Sequence, residues 1–110
     1  MITPKGFRFS VLSAGFKKAG KRDLALLVSE APAVGAAMFT KNVFKAAPVL
    51  VGQELMSKGG EFRAVLINSG QANACTGDEG VANCRRTLEL VAGEAGIKAG
   101  EILPGSTGVI

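Results

Sequence analysis

The sequence predicts a fold that combines short β-strands with one long amphipathic α-helix. Apolar runs of strand length recur before residue 70, and Gly or Pro separates most of them. A stripe of apolar residues at helical spacing follows between residues 81 and 95. With 110 residues, 47% of them hydrophobic, the chain can form one globular domain with its own core.

The first two predicted strands are joined like a hairpin. In residues 7–11, phenylalanine and valine alternate with polar residues, which is the pattern of a strand with one buried face. Residues 13–22 are small, basic and contain glycine, so they form the connection. The apolar run at residues 24–29 is typical of a buried strand, and Pro32 is expected to break it.

The middle of the chain is predicted to hold two strands, a short helix and then the clearest strand of the sequence. These elements are expected at residues 34–40, 44–51, 53–58 and 62–68, in that order. Pro48 would place the second strand at a sheet edge or at a bend. Gly59 and Gly60 would stop the short helix.

The long helix is predicted to begin at Thr76, because Thr76 and Glu79 have the spacing of a capping box. Its apolar stripe consists of Val81, Cys84, Leu88, Val91, Ala92 and Ala95. Gly96 or Gly100 would end the helix, and Ile102 would begin a last strand.

Composition excludes several classes of site within this chain. There is no histidine, so neither a Ser-His nor a Cys-His mechanism, nor a histidine-ligated metal, is available to it. Cys75 and Cys84 are too few for a disulfide framework or a zinc site, and they are interpreted as reduced thiols. No run is long and apolar enough for a membrane span, and the first residues lack the apolar run of a signal peptide. We therefore expect a cytoplasmic protein without a metal.

The net charge of +4 comes largely from one cluster, Lys17, Lys18, Lys21 and Arg22. A basic cluster of this kind can meet phosphates, which leaves a nucleic-acid-binding domain as one hypothesis. Phe16 is the only neighbouring aromatic residue that could stack on a base. A solvated basic turn is the favoured interpretation.

Two loops carry the residues that are best suited to bind a ligand or to take part in catalysis. Residues 68–77 join a strand to a helix N-terminus, and they form either a helix cap braced by Asn side chains or the wall of a pocket for a small anion. The second loop follows the last strand. There, the hydroxyl of Thr107 and the backbone N–H of Gly108 suit an oxyanion hole, although an ordinary turn has the same residues.

At these two loops the chain resembles the ArgJ family, the ornithine acetyltransferases and glutamate N-acetyltransferases of arginine biosynthesis. Residues 68–77 carry its most specific motif, and residues 106–110 carry the second. Gln71 departs from the pattern, since many members have Asn there. Further matching segments lie at residues 4–7, 23–26, 39–42 and 45–49.

The resemblance implies an α/β fold of layered sheets and helices and an enzyme that cuts its own precursor into two chains. The N-terminal Thr of the second chain would be the nucleophile, activated by its own α-amine. It would take the acetyl group of N-acetylornithine and pass it to glutamate in a ping-pong exchange. Thr107 and Gly108 correspond to the family's oxyanion-hole residues.

The resemblance also implies partners and boundaries. No bound cofactor is expected, with acetyl-CoA as a co-substrate in bifunctional members, and the two kinds of chain would form an α₂β₂ heterotetramer. Residues 1–110 would be the N-terminal part of the α chain, incomplete at its C-terminus and inactive alone. The apolar pair at Val109 and Ile110, directly after a turn, points the same way.

Overall fold

The computed structural model describes residues 2–109, along which β-strands and α-helices are interspersed. They are β1 (Phe7–Leu12), β2 (Leu24–Ala33), α1 (Ala47–Ser57), β3 (Phe62–Asn68), α2 (Gly77–Ala95), a single 3-10 turn (Ala99–Glu101) and β4 (Ile102–Ser106). Met1 and Ile110, the last residue of the second motif, lie outside the described residues. The mixture of strands and helices confirms the predicted α/β class.

The four strands form one sheet in the order β1-β2-β3-β4. β1, β2 and β3 pair in antiparallel fashion, whereas β3 and β4 run parallel, with α2 connecting them. Parallel strands end at the same edge of a sheet, and here Asn68 at the end of β3 pairs with Ser106 at the end of β4. The segments that leave these two strands therefore start side by side.

The core lies between one face of the sheet and the two α-helices. On β3, Phe62, Ala64 and Leu66 alternate with more exposed residues and point toward the helices. Ile102 of β4 is 0% exposed. The helices contribute Val51, Leu55, Leu88 and Ala92 to this cluster. Burial of these residues against the sheet fixes both helices and the ends of β3 and β4.

β1 forms as a strand, as predicted, and lies at an edge of the sheet, but the expectation that one of its faces is buried is wrong. All six residues of β1 are exposed, and Phe7 and Phe9 keep about 40% of their surface. The register places Phe9 beside Leu27. Both side chains lie on the face of the sheet that points away from the helices. The alternation reflects a two-faced strand whose apolar side is left uncovered.

β2 begins at Leu24 as predicted, but it is half-buried and Pro32 does not break it. The strand runs on to Ala33 because its pairing with β3 shifts between Val28 and Ala33, and its pairing with β1 ends at Ser29. Pro32 thus lies where the ladder is interrupted, so its missing N–H costs no regular strand hydrogen bond.

The strands predicted at residues 34–40 and 44–51 are not formed. Residues 34–40 have no regular structure, and Met38 is fully exposed. The second segment instead enters α1, where Pro48 occupies the first turn and gives up no helical hydrogen bond. The short helix predicted over residues 53–58 is the second half of α1, and Gly59 follows it with a φ of +66°.

α2 begins directly after Thr76, as predicted, but the capping box is not formed. Thr76 has a φ of −104° and a ψ of −2°, and its side chain makes no capping hydrogen bond. Gly96 ends the helix in the left-handed conformation, as expected, while Ala95 of the predicted stripe is exposed. Within residues 2–109, neither helix has the combined length and apolarity needed to cross a bilayer.

Candidate active site

The two motif loops lie against each other at the edge of the sheet where β3 and β4 end. Beyond the last strand pair, Gln71 and Val109 continue the parallel pairing as an isolated bridge. The Ala72 N–H donates to the Val109 carbonyl oxygen at 2.9 Å, and the Val109 N–H donates to the Gly70 carbonyl oxygen at 3.4 Å. Two segments predicted separately from the sequence thus form a single structural unit.

Thr107 and Gly108 are exposed at this edge. The Thr107 N–H is already used, because it donates to the Asn68 carbonyl oxygen at 3.0 Å. Its hydroxyl is therefore the group left to meet a ligand. Within residues 2–109 the Gly108 N–H donates no hydrogen bond, so it too is available. The arrangement is compatible with the predicted pair of donors, whose role in an oxyanion hole stays a prediction.

Gly108 can be occupied only by glycine in this backbone. Its φ is +128°, outside the regions that residues with a Cβ readily adopt. An added Cβ would lie 2.5 Å from the Gly70 carbonyl carbon and 2.7 Å from the Gln71 nitrogen. Both are backbone atoms that cannot rotate away, so the close approach of the two loops depends on Gly108.

The side chains of Asn68, Asn73 and Ser106 form a closed set of hydrogen bonds where the two motif loops meet. Ser106 Oγ donates to Asn68 Oδ1 at 2.5 Å. Asn73 Nδ2 donates to Ser106 Oγ at 2.8 Å and to Asn68 Oδ1 at 3.2 Å, and Asn68 Nδ2 donates to the Gln71 carbonyl oxygen at 2.7 Å. Asn side chains thus brace the turn, as one of the two interpretations of residues 68–77 expected, although no side-chain hydrogen bond caps the helix itself.

The same loop also forms one side of an open cleft of about 570 Å³. Its walls include Asn68, Asn73 and Ser106 from the sheet edge, and Thr76, Glu79 and Asn83 from the start of α2. Thr107 and Gly108 are not part of the lining. The cleft therefore adjoins the predicted donor pair without containing it.

The polar face of α2 was not predicted to contribute to a site. Thr76, Glu79, Asn83 and Thr87 line the cleft and recur every three or four residues along the helix. This spacing is visible in the sequence beside the apolar stripe, and it is the signal that would have identified the face.

Asp23 was also missed as a residue that shapes the site. It is buried, and its carboxylate accepts the Ala14 N–H at 2.6 Å and the Lys17 N–H at 3.0 Å. The hydrogen bond from Ala14 is the main cause that lowers the pKa of Asp23. The Asp23 carbonyl oxygen accepts the Ser69 N–H at 2.8 Å, which ties the β1–β2 connection to the first motif loop.

The remaining candidates are the basic cluster and the two cysteines, of which Cys84 lines the same cleft. The four basic residues of the β1–β2 connection are exposed, as expected for a solvated turn. Cys75 is exposed in the loop before α2, with a φ of +58°. Cys84 is half-buried on α2, where burial raises the pKa of its thiol.

Comparison with known proteins identifies the family of the chain. The sequence model of the ArgJ family matches residues 8–110. The arginine biosynthesis bifunctional protein ArgJ of Nitratidesulfovibrio vulgaris is 61% identical over 108 residues, which cover 98% of this chain and 28% of that protein. The protein of the same name from Geobacter sulfurreducens is 54% identical, over 96% of this chain and 27% of its own length. The chain thus spans a little more than a quarter of these curated relatives.

Solved structures give the same result. The crystal structure of the ArgJ protein of Bacillus halodurans matches with a TM-score of 0.90 and 38% identity, over 96% of this chain and 55% of that chain. The ornithine acetyltransferase of Mycobacterium tuberculosis, crystallised with ornithine, matches with a TM-score of 0.89 and 45% identity, over 97% and 58% of the two chains. The fold is that of these acetyltransferase structures, and the chain belongs to the ArgJ family.

Proposed function

We propose that this chain provides the oxyanion hole of an enzyme that transfers the acetyl group of N-acetylornithine to glutamate in arginine biosynthesis. The observation that carries the proposal is the exposed pair of donors on the second motif loop, the Thr107 hydroxyl and the Gly108 N–H. The names of the relatives, which are bifunctional arginine-biosynthesis proteins, and of the ornithine-bound neighbour support the substrate class.

In the proposed reaction, the N-terminal Thr of a partner chain attacks the acetyl carbonyl of N-acetylornithine. Its hydroxyl proton passes by way of its α-amine to the departing ornithine nitrogen, and an acetyl ester remains on the Thr. The carbonyl oxygen becomes negatively charged in between, and two fixed donors stabilise that charge. The glutamate amine then attacks the ester and regenerates the free Thr. This division of labour needs no histidine, and the chain has none.

The proposal includes the assembly and the second reaction. Self-cleavage of one precursor would yield an α chain that includes these residues and a β chain. The two kinds of chain would form an α₂β₂ heterotetramer in the cytoplasm, where thiols stay reduced. Neither a metal nor a bound cofactor takes part in the proposed chemistry. Acetyl-CoA is a second acetyl donor for glutamate in this proposal, in line with the word bifunctional in the relatives' names.

A binding module for a small anion at the start of α2 is the other hypothesis from the sequence. The charges there oppose it, because Asp78 and Glu79 occupy the first turn of the helix. Their carboxylates offset the positive end of the helix dipole, and Glu79 also lines the adjoining cleft. The acetyltransferase is therefore the function that this site supports best.

Denaturing mass spectrometry of the full gene product, before and after incubation with N-acetylornithine, tests the proposal. We expect two polypeptides, one of which begins with Thr and gains the mass of one acetyl group. Adding glutamate should remove that group and produce N-acetylglutamate. A single uncut chain that stays unmodified would contradict the proposal, and binding of inorganic phosphate by that chain would then favour the anion module.

A further inference from the structure

The strongest feature that the proposed function leaves unused is the set of hydrogen bonds joining Asn68, Asn73 and Ser106, here called the polar triangle. Asn68 is buried, while Asn73 and Ser106 are half-buried. Both amide protons of Asn73 are donated within the triangle, and Asn68 Oδ1 accepts from both other members. Among the described residues, no buried side-chain nitrogen or oxygen lacks a hydrogen-bond partner. Each side chain of the triangle thus makes two or more hydrogen bonds, and the bonds restrict one another's geometry.

The triangle is connected to Thr107 by two short paths. Ser106 directly precedes Thr107 in the chain, so fixing the Ser106 hydroxyl restricts the backbone from which Thr107 projects. Asn68 anchors Thr107 a second time, because its carbonyl oxygen accepts the Thr107 N–H at 3.0 Å. Asn68 therefore binds the Ser106 hydroxyl through its side chain and the Thr107 N–H through its backbone carbonyl.

The triangle is connected to Gly108 through the opposite loop. Asn68 Nδ2 donates to the Gln71 carbonyl oxygen at 2.7 Å and so fixes the peptide segment against which Gly108 lies. The two backbone segments are in close contact, because a Cβ on Gly108 would lie only 2.5 Å from the Gly70 carbonyl carbon. A shift of the Gly70–Gln71 peptide would therefore displace the Gly108 N–H.

A purely structural role is the competing explanation, because the triangle also joins separate parts of the fold. The Asn73 carbonyl oxygen accepts the Ala47 N–H at 3.1 Å, at the start of α1. A cluster that only holds elements together would change stability and leave the turnover of the folded enzyme unaltered. The two roles therefore differ in kcat per folded active site.

We propose that Asn68, Asn73 and Ser106 are positioning residues of the acetyl transfer, and that they hold the Thr107 hydroxyl and the Gly108 N–H at the spacing that the oxyanion requires. This inference rests on the proposed function and assigns residues to the same site. The three side chains act through Thr107 and Gly108.

The test uses the processed full gene product, with rates normalised to the burst of acetyl-enzyme so that unfolded protein does not count. Ser106→Ala removes the hydroxyl that two triangle members share. We expect kcat to fall by about 10-fold to 10²-fold with little change in KM for N-acetylornithine, as for a displacement of reacting groups by up to ~1 Å. Ser106→Thr keeps a hydroxyl and should restore most of the activity.

A second variant addresses the Asn73 side chain without disturbing its backbone. Asn73 has a φ of +58°, and Asn73→Gly keeps this left-handed conformation while deleting the carboxamide. We expect a similar fall in kcat, and the double variant Ser106→Ala with Asn73→Gly should lose less than the product of the two effects. Ser29→Ala is the matched control, because the Ser29 hydroxyl donates locally to the Ala31 carbonyl oxygen at 2.6 Å on a strand remote from this edge.

The outcomes separate this inference from the proposed function. If the wild-type enzyme is active and kcat per active site is unchanged in Ser106→Ala and in Asn73→Gly, the positioning role is overturned. The proposed acetyltransferase function is unaffected by that result. A loss of kcat that Ser106→Thr does not restore also overturns it. A wild-type product without any acetyl transfer refutes the proposed function itself, and the positioning role falls with it.

Discussion

Replacing Gly108 by alanine is the most direct test of the geometry at the edge of the sheet. The new Cβ would lie 2.5 Å from the Gly70 carbonyl carbon and 2.7 Å from the Gln71 nitrogen. Ordinary contact begins near 3.4 Å, so the loops must separate by about 0.9 Å. The φ of +128° adds backbone strain of about 1–3 kcal/mol, because alanine rarely adopts this conformation.

A displacement of this size moves the Gly108 N–H away from the position of the oxyanion. Misplacement by ~1 Å, or loss of one donor, costs about 10²-fold to 10³-fold in rate. We therefore expect kcat for acetyl transfer from N-acetylornithine to glutamate to fall by at least ~10²-fold. Steady-state kinetics of the full gene product measure this, together with thermal unfolding to confirm that the variant is folded.

Gly105→Ala is the matched control, three residues earlier on β4. A Cβ there would meet only Ile67 Cγ1, at the ordinary distance of 3.6 Å. Its kcat should stay close to that of the wild type. If Gly108→Ala folds and also keeps wild-type kcat, the reasoning that links the close approach of the two loops to catalysis is refuted.

Three further predictions concern the donor, the core and a buried carboxylate. Thr107→Val keeps the shape of the side chain and removes the hydroxyl, so kcat should fall by about 10²-fold to 10³-fold, while Thr107→Ser should keep most of it. Ile102→Ala removes a side chain that is 0% exposed and should lower the free energy of unfolding by about 2–5 kcal/mol in urea titrations, whereas Ile67→Ala, at 45% exposed, should cost clearly less. The hydrogen bond from the Ala14 N–H is the main cause that lowers the pKa of Asp23 in the folded chain. The contribution of this carboxylate to stability is therefore present above its ordinary pKa and is lost as the pH falls through the lower folded-state value. The melting temperature of wild type should exceed that of Asp23→Asn at neutral pH, and a gap that stays constant down to about pH 3 would contradict this.

The sequence alone was sufficient where a local pattern and its burial agree. β3 has the predicted bounds because Phe62, Ala64 and Leu66 alternate toward the core along an uninterrupted strand. The end of α2 at Gly96 could also be predicted, because helices commonly end at a glycine in the left-handed conformation. Local chemistry determines both features.

Other parts depend on contacts that no local pattern encodes. Pro48 suits a strand edge and the first turn of a helix equally well, and what decides for the helix is the packing of Val51 and Leu55 into the core. The pairing of Asn68 with Ser106 joins residues far apart in sequence, so the meeting of the two motif loops could not be derived from spacing. The residue types of Thr107 and Gly108 suggested a pair of donors, and only the resemblance to a family favoured that role over an ordinary turn. Their adjacency to the first loop is new information from the structure.

The apolar face that the helices leave uncovered makes this chain sensitive to its own concentration. β1 lies at the edge of the sheet, so one side of its backbone is free to pair with another chain, and Phe7 and Phe9 add an exposed apolar surface beside it. Edges of this kind promote aggregation when they meet each other. Arg8, on the opposite face of the strand, is the charge that opposes such pairing. Conditions that leave this chain alone and concentrated therefore favour precipitation over refolding, and its yield in recombinant expression should depend on how quickly that edge is covered.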